Sequence, residues 1–140
     1  MGLRRVFGIV FASLGFASLL LSILLFIYVT YEITKTPPRG DFGALLVGIA
    51  YLIPLFFWLV STVLYVAGYL ISIGVKSRLL AVLFTVGGAI NLFTGSALTV
   101  FLLAQHGFDI TSISVRESLP FLSIIILVGI AFILAGRRKL

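Results

Sequence analysis

Charged residues are scarce in this chain of 140 residues, and four long tracts contain none. A charged side chain deep in hydrocarbon costs roughly 2.5–3.5 kcal/mol even on mild insertion scales. Four tracts without charge therefore predict a chain that crosses a bilayer four times. These tracts hold 26, 34, 30 and 19 residues and lie between Arg5 and Glu32, Asp41 and Lys76, Arg78 and Asp109, and Glu117 and Arg137.

Cysteine is absent, which excludes disulfides, thiolate metal sites, iron–sulfur clusters and cysteine nucleophiles. Apart from tyrosines, the spans also lack titratable side chains, so we expect neither an enzyme nor a cofactor. Only one Asn, one Gln and one Met occur, and this scarcity of thermolabile residues indicates a thermophilic source.

What the chain does contain is apolar: 61% of its residues are hydrophobic and its mean hydropathy is +1.30. Such a composition predicts an all-α integral membrane protein with one transmembrane domain. The helices are predicted at about residues 6–28, 42–75, 79–104 and 119–136, packed as an antiparallel bundle, with outer loops at 32–41 and 105–118. The first apolar run is too long for a signal peptide, so we expect a retained helix.

The pI of about 10.2 does not indicate nucleic-acid binding, because the placement of the basic residues along the chain has another explanation. Three purely basic clusters alternate with two mixed clusters that sum to 0 and −1. The positive-inside rule then predicts both termini in the cytoplasm of a multi-pass protein in a prokaryotic cell membrane. We expect the basic clusters to lie at the membrane surface and attract anionic lipids. Their members are Arg4, Arg5, Lys76, Arg78, Arg137, Arg138 and Lys139.

The second tract, residues 42–75, is longer than a single span needs, at about 51 Å if fully helical. Pro54 lies within it and removes one helical hydrogen bond. We expect one long helix that is kinked near Pro54. The alternative is a separate outer segment over residues 42–53, followed by the true span.

A possible internal repeat relates the two halves at an offset of 77 residues. At this offset Phe7 and Ala12 align with Phe84 and Ala89, as expected for two duplicated hairpins. Phe and Ala are abundant enough for such matches to arise by chance, and chance is the favoured interpretation.

Small residues recur at four-residue spacing, the pattern that lets membrane helices approach closely. The motifs are Gly8-xxx-Ala12, Ser13-xxx-Ala17, Ala44-xxx-Gly48, Gly68-xxx-Ser72 and Ala131-xxx-Ala135. The third helix has the richest stripe. We expect packing within the bundle first, and contact with another subunit or a second copy next. The stripe comprises Gly87, Gly88, Asn91, Gly95, Ser96 and Thr99.

Asn91 is the one amide inside a predicted span, so we expect it to face protein. As an interhelical clip it would bond Ser61, Thr62 or Tyr65. Alternatively, it would belong to a polar path for water or a small neutral solute, together with Thr85, Thr94, Ser96 and Thr99.

The outer loops place His106 and Asp109 in one loop and Glu32 and Asp41 in the other. Their spacing matches no metal signature, so we expect solvated loops.

The sequence favours a non-catalytic structural or accessory subunit of a larger membrane complex, bound to lipids and to other subunits or copies of itself. The alternative is a homo-oligomeric channel or uniporter for a small neutral solute.

Overall fold

Four α-helices make up nearly all of the part of the chain that the structure describes. The computed structural model describes residues 2–36, 39–105, 107 and 113–140, except for the side chains of residues 44 and 113–115. No strand occurs within these ranges, and each helix is long and apolar enough to cross a membrane. The helices are α1 (Gly2–Lys35), α2 (Gly40–Ile71), α3 (Arg78–Gln105) and α4 (Ile113–Arg138).

The chain divides into two compact units, Met1–Ile73 and Gly74–Leu140. We call them hairpin 1, which contains α1 and α2, and hairpin 2, which contains α3 and α4. In hairpin 1 the side chain of Arg4 contacts Ile71 at one end, while Thr30 bonds Tyr51 towards the other. The start of α1 therefore lies beside the end of α2, and the two helices are antiparallel.

Hairpin 2 is antiparallel as well. The backbone N–H of Ser77, just before α3, donates to the carbonyl of Lys139, just after α4, over 2.9 Å. Ser77 also caps α3, since its Oγ lies 3.5 Å from the backbone nitrogen of Leu80.

α1, α3 and α4 extend further than the sequence predicted, and the predicted outer loops are correspondingly shorter. α1 has 34 residues and runs through Lys35, so it is about 51 Å long. This exceeds the roughly 30 Å hydrocarbon core, and charged Glu32 and Lys35 form its last turn. A helix satisfies its own backbone hydrogen bonds, so it has no need to end where the apolar residues end.

α2 is one continuous helix of 32 residues that includes Pro54. The alternative of a separate segment at residues 42–53 is therefore wrong, whereas a kink near Pro54 stays a prediction. The helix ends at Ile71, four residues before the predicted end. Ser72 caps it through its backbone N–H, and Gly74 then adopts a φ of 77°, a left-handed turn that favours glycine.

α4 begins at Ile113 rather than near residue 119, and Pro120 lies inside it. Proline removes a single helical hydrogen bond, so the turns before it continue the same helix.

The two hairpins do not support a repeat at an offset of 77 residues. Ala12 is fully buried, whereas its counterpart Ala89 is exposed. Conversely, Phe7 is 48% exposed and Phe84 is fully buried. Positions that align in sequence thus differ in burial, which gives the duplication no support, and whether the halves are related stays a prediction.

Candidate functional site

The contact between α1 and α2, which we call seam 1, follows a seven-residue repeat of small residues. Gly8, Gly15 and Ser22 are buried on α1. A Cβ added at Gly8 would lie 2.7 Å from the Cβ of Ser72, and a Cβ added at Gly15 would lie 3.0 Å from the ring of Tyr65. The period of seven is typical of helices that pack along their whole length with a gentle crossing.

Side-chain hydroxyls join the two helices of seam 1 through backbone carbonyls. Ser61 Oγ donates to the carbonyl of Gly15, and Ser22 Oγ donates to the carbonyl of Pro54, each over 2.8 Å in a buried position. In hydrocarbon each hydroxyl needs such a partner. These polar groups therefore hold the helices together and do not form an open polar surface.

The contact between α3 and α4, seam 2, has the same construction with glycine on both helices. A Cβ added at Gly88 would lie 2.5 Å from the carbonyl oxygen of Gly129, and one at Gly95 would lie 2.8 Å from Ile126. One added at Gly136 would lie 2.9 Å from the carbonyl of Ala81. Backbone thus packs directly against backbone along this seam.

The predicted stripe on α3 divides between several environments. Gly87, Gly88, Asn91 and Gly95 are buried. The side chain of Thr99 is half-buried and donates to the Gly95 carbonyl of its own helix, 2.7 Å away. Ser96 is exposed.

On the second helix, Gly68 and Ser72 lie in seam 1. A Cβ at Gly68 would meet the backbone of Gly8 and Ala12 at 3.2 Å. The Ser72 hydroxyl is fully buried and donates to the Gly68 carbonyl over 2.7 Å. The four-residue motifs Gly8-xxx-Ala12 and Gly68-xxx-Ser72 therefore pack against each other.

Asn91 is 2% exposed and lies in seam 2. A Cβ added at Gly129 would lie 3.2 Å from the Cβ of Asn91. Of its predicted partners, Ser61 donates to Gly15, and Thr62 donates to the Trp58 carbonyl in its own helix over 3.0 Å. A bond between Asn91 and Tyr65 stays a prediction.

Other small residues face outward. Ser13 and Ala17 on α1 and Gly48 on α2 are exposed, and a Cβ added at Gly48 would meet nothing within 4 Å. Ala131 on α4 is exposed and Ala135 is half-buried. Four-residue spacing alone thus did not distinguish residues in a seam from residues on the surface.

Sequence reasoning missed Gly15, Ser22, Gly129 and Gly136, which lie within the two seams. A search at seven-residue spacing would have found them, since Gly8, Gly15 and Ser22 are seven apart, as are Gly129 and Gly136.

The basic residues mark the helix ends. The guanidinium of Arg4 donates to the carbonyls of Ile71 at 3.1 Å and Ile73 at 2.7 Å, and so caps the end of α2. An open pocket of about 420 Å³ lies in hairpin 2 and is lined by Lys76, Ser77, Arg78, Lys139 and Leu140. Arg137 and Arg138 are exposed and are not part of its lining.

Within the part of the chain that the structure describes, no group of three His, Cys, Asp or Glu side chains comes together. The loop residues His106 and Asp109 lie outside the described residues, so the solvated loop predicted for them stays a prediction.

No protein-family model matches this chain, and it matches neither a curated protein nor a solved structure.

Proposed function

We propose that this chain is a non-catalytic structural or accessory subunit of a larger membrane complex. Its two hairpins would join as one antiparallel four-helix bundle in a prokaryotic cell membrane, with both termini in the cytoplasm. The observation that carries the proposal is the set of small residues that hairpin 1 turns outward, Ser13, Ala17 and Gly48.

Small residues matter here because apolar side chains gain little from leaving lipid for protein. Helices in a bilayer associate where their backbones can come close together, as they do at Gly68 in seam 1. Gly48 lies on the same helix as Gly68, yet has open space around it. It is therefore a position where a helix from another protein can approach closely.

The polar groups inside the spans support a role without catalysis or ion coupling. Ser22 and Ser61 donate to carbonyls across seam 1, and Thr62 and Thr99 donate within their own helices. Hydroxyls used in this way stabilise helix packing and are poorly placed to act on a substrate.

The channel or uniporter alternative has less support. A polar path along α3 would need Asn91 and the nearby hydroxyls on one helix face. At about 100° per residue, Ser96 lies about 140° around the helix from Asn91. Asn91 is buried against α4, whereas Ser96 is exposed. These two residues therefore do not line a common path within the hairpin.

Cross-linking in the native membrane tests the proposal. The chain has no cysteine, so Ser13→Cys and Gly48→Cys each create a unique thiol for a photoreactive maleimide. The matched controls are Leu14→Cys and Ile53→Cys. Both native residues are 51% exposed and lie on other faces of the same two helices.

We expect the small-residue positions to cross-link a second membrane protein, identified by mass spectrometry, well above the two controls. Cross-links solely between copies of this chain would favour a homo-oligomer. An equally low yield at all four positions would rule out the subunit role.

Topology is tested separately with single cysteines and a membrane-impermeant maleimide. Thr36→Cys follows α1 and is expected to react in intact cells. Lys76→Cys, between α2 and α3, is expected to react only after the membrane is permeabilised. The opposite result would reverse the predicted orientation.

A further inference from the structure

We propose that the pocket lined by Lys76, Ser77, Arg78, Lys139 and Leu140 binds the headgroup of an anionic phospholipid. Three of these residues carry a positive charge, and they come from two segments that are more than 60 residues apart in sequence. The described lining residues include no Asp or Glu.

The pocket is held in shape by the backbone. Ser77 donates its N–H to the carbonyl of Lys139, and the N–H of Ala81 donates to the Ser77 carbonyl over 3.0 Å. Ser77 is 5% exposed and Lys139 is 3% exposed, so both are fixed within the hairpin. The backbone that carries Lys76, Arg78 and Lys139 is therefore already positioned before a ligand binds, which reduces the entropy lost on binding.

The size and chemistry of the pocket suit a phosphate group with its neighbouring polar atoms. Its volume of about 420 Å³ lies within the range of small-molecule sites. Lys and Arg side chains bind phosphate oxygens through charge-assisted hydrogen bonds. The side chains of Lys76 and Arg78 are exposed, so such a group can reach them from outside the hairpin.

The surroundings of the pocket favour a lipid over a soluble phosphate. α3 starts at Arg78, and its first exposed aliphatic residues follow at once. Leu79, Val82 and Val86 are 49%, 51% and 39% exposed and, at spacings of three and four, form one stripe along the helix. Acyl chains would lie along this stripe while the headgroup occupies the pocket. Basic pockets at the ends of transmembrane helices are a known way of recognising anionic lipids.

The test compares two variants that lose the same charge. Lys76→Gln with Arg78→Gln removes two exposed cations from the pocket. Arg137→Gln with Arg138→Gln removes two exposed cations outside it. The purified full chain in a neutral detergent is titrated with phosphatidylglycerol, with phosphatidylcholine of the same acyl chains, or with inorganic phosphate. Binding is followed by the rise in the unfolding temperature.

We expect phosphatidylglycerol to stabilise the unmodified chain and the Arg137/Arg138 variant. Each cation near an anionic lipid contributes about five-fold in affinity, so the Lys76/Arg78 variant should bind roughly 25-fold more weakly. Arg78→Lys should restore part of the binding in comparison with Arg78→Gln.

Equal weakening in both double variants would show a general surface attraction and overturn the proposal. Equal stabilisation by phosphatidylcholine would also overturn it. Stabilisation by inorganic phosphate at the same level as phosphatidylglycerol would assign the pocket to a soluble anion instead of a lipid.

Discussion

Gly88 and Gly129 face each other across seam 2 with no room for a side chain on either residue. A Cβ at Gly88 would lie 2.5 Å from the Gly129 carbonyl oxygen, and a Cβ at Gly129 would lie 2.8 Å from the Gly88 carbonyl oxygen. The relationship is reciprocal, so neither helix can adjust by rotating one side chain. Close backbone packing of this kind is a main source of helix association in lipid.

Gly88→Ala should therefore destabilise hairpin 2. The added methyl group would lie 2.7 Å from the backbone nitrogen of Ile133 as well as against Gly129, and both contacts are backbone. Overpacking of this kind costs about 1–3 kcal/mol. The free energy of unfolding in mixed detergent micelles measures it.

Gly48→Ala is the matched control for that substitution. A Cβ at Gly48 meets nothing within 4 Å, so its unfolding free energy should stay within about 0.5 kcal/mol of the unmodified chain. Equal losses at Gly48 and Gly88 would contradict the close approach of α3 and α4.

Ser61→Ala should weaken hairpin 1, because it removes the buried hydrogen bond to the Gly15 carbonyl. Interhelical bonds of this kind contribute about 0.6 kcal/mol, with a maximum near 1.7 kcal/mol. Ser123→Ala serves as the comparison, since Ser123 is exposed and donates to Leu119 within its own helix. Detergent unfolding should show a loss for Ser61→Ala alone, and a loss of equal size in both would refute the role of the Ser61 bond.

Arg4→Gln should loosen the end of α2. Without the guanidinium, the carbonyls of Ile71 and Ile73 lose a charged donor near the negative end of the helix. Hydrogen–deuterium exchange should become about five-fold faster at the amides of Ser72 and Ile73, in line with a cap worth about 1 kcal/mol. Arg137→Gln removes the same charge from hairpin 2 and should leave these amides unchanged, so faster exchange in both variants would point to net charge instead.

Asn91→Leu separates the packing role from transport. The substitution keeps similar volume but removes a polar side chain from seam 2, so we expect a lower unfolding temperature. Solute flux in liposomes should be the same for the variant and the unmodified chain. Flux that depends on Asn91, together with unchanged stability, would favour the uniporter over the subunit.

The number of helices was predictable from sequence because charge is excluded from hydrocarbon. Most of each tract without charge lies in one helix, including the second tract with Pro54. The ends of the helices were less predictable, since Glu32, Lys35 and Asp41 are polar yet helical. Polarity marks where a helix can leave the membrane, but it does not decide where the helix ends.

The seams were predictable only in part. Four-residue spacing identified Gly8, Gly68 and Ser72, which do pack together, but it also identified Ser13 and Ala17, which face outward. The reason is that a four-residue motif fits any face of a helix. A face that stays in contact over about four turns must repeat every seven residues, and only this longer period separates Gly15 and Ser22 from their neighbours.

The division into two hairpins has a consequence for biosynthesis. Seam 1 is complete by about residue 72, because its contacts join Gly8 to Gly68 and Ser72. A nascent chain could therefore close its first helix pair while the ribosome is still translating the second. Each pair would then leave the translocon with the glycines and hydroxyls of its seam already covered. Premature association with other nascent membrane proteins through these surfaces would be limited at the moment when the chain is most exposed to it.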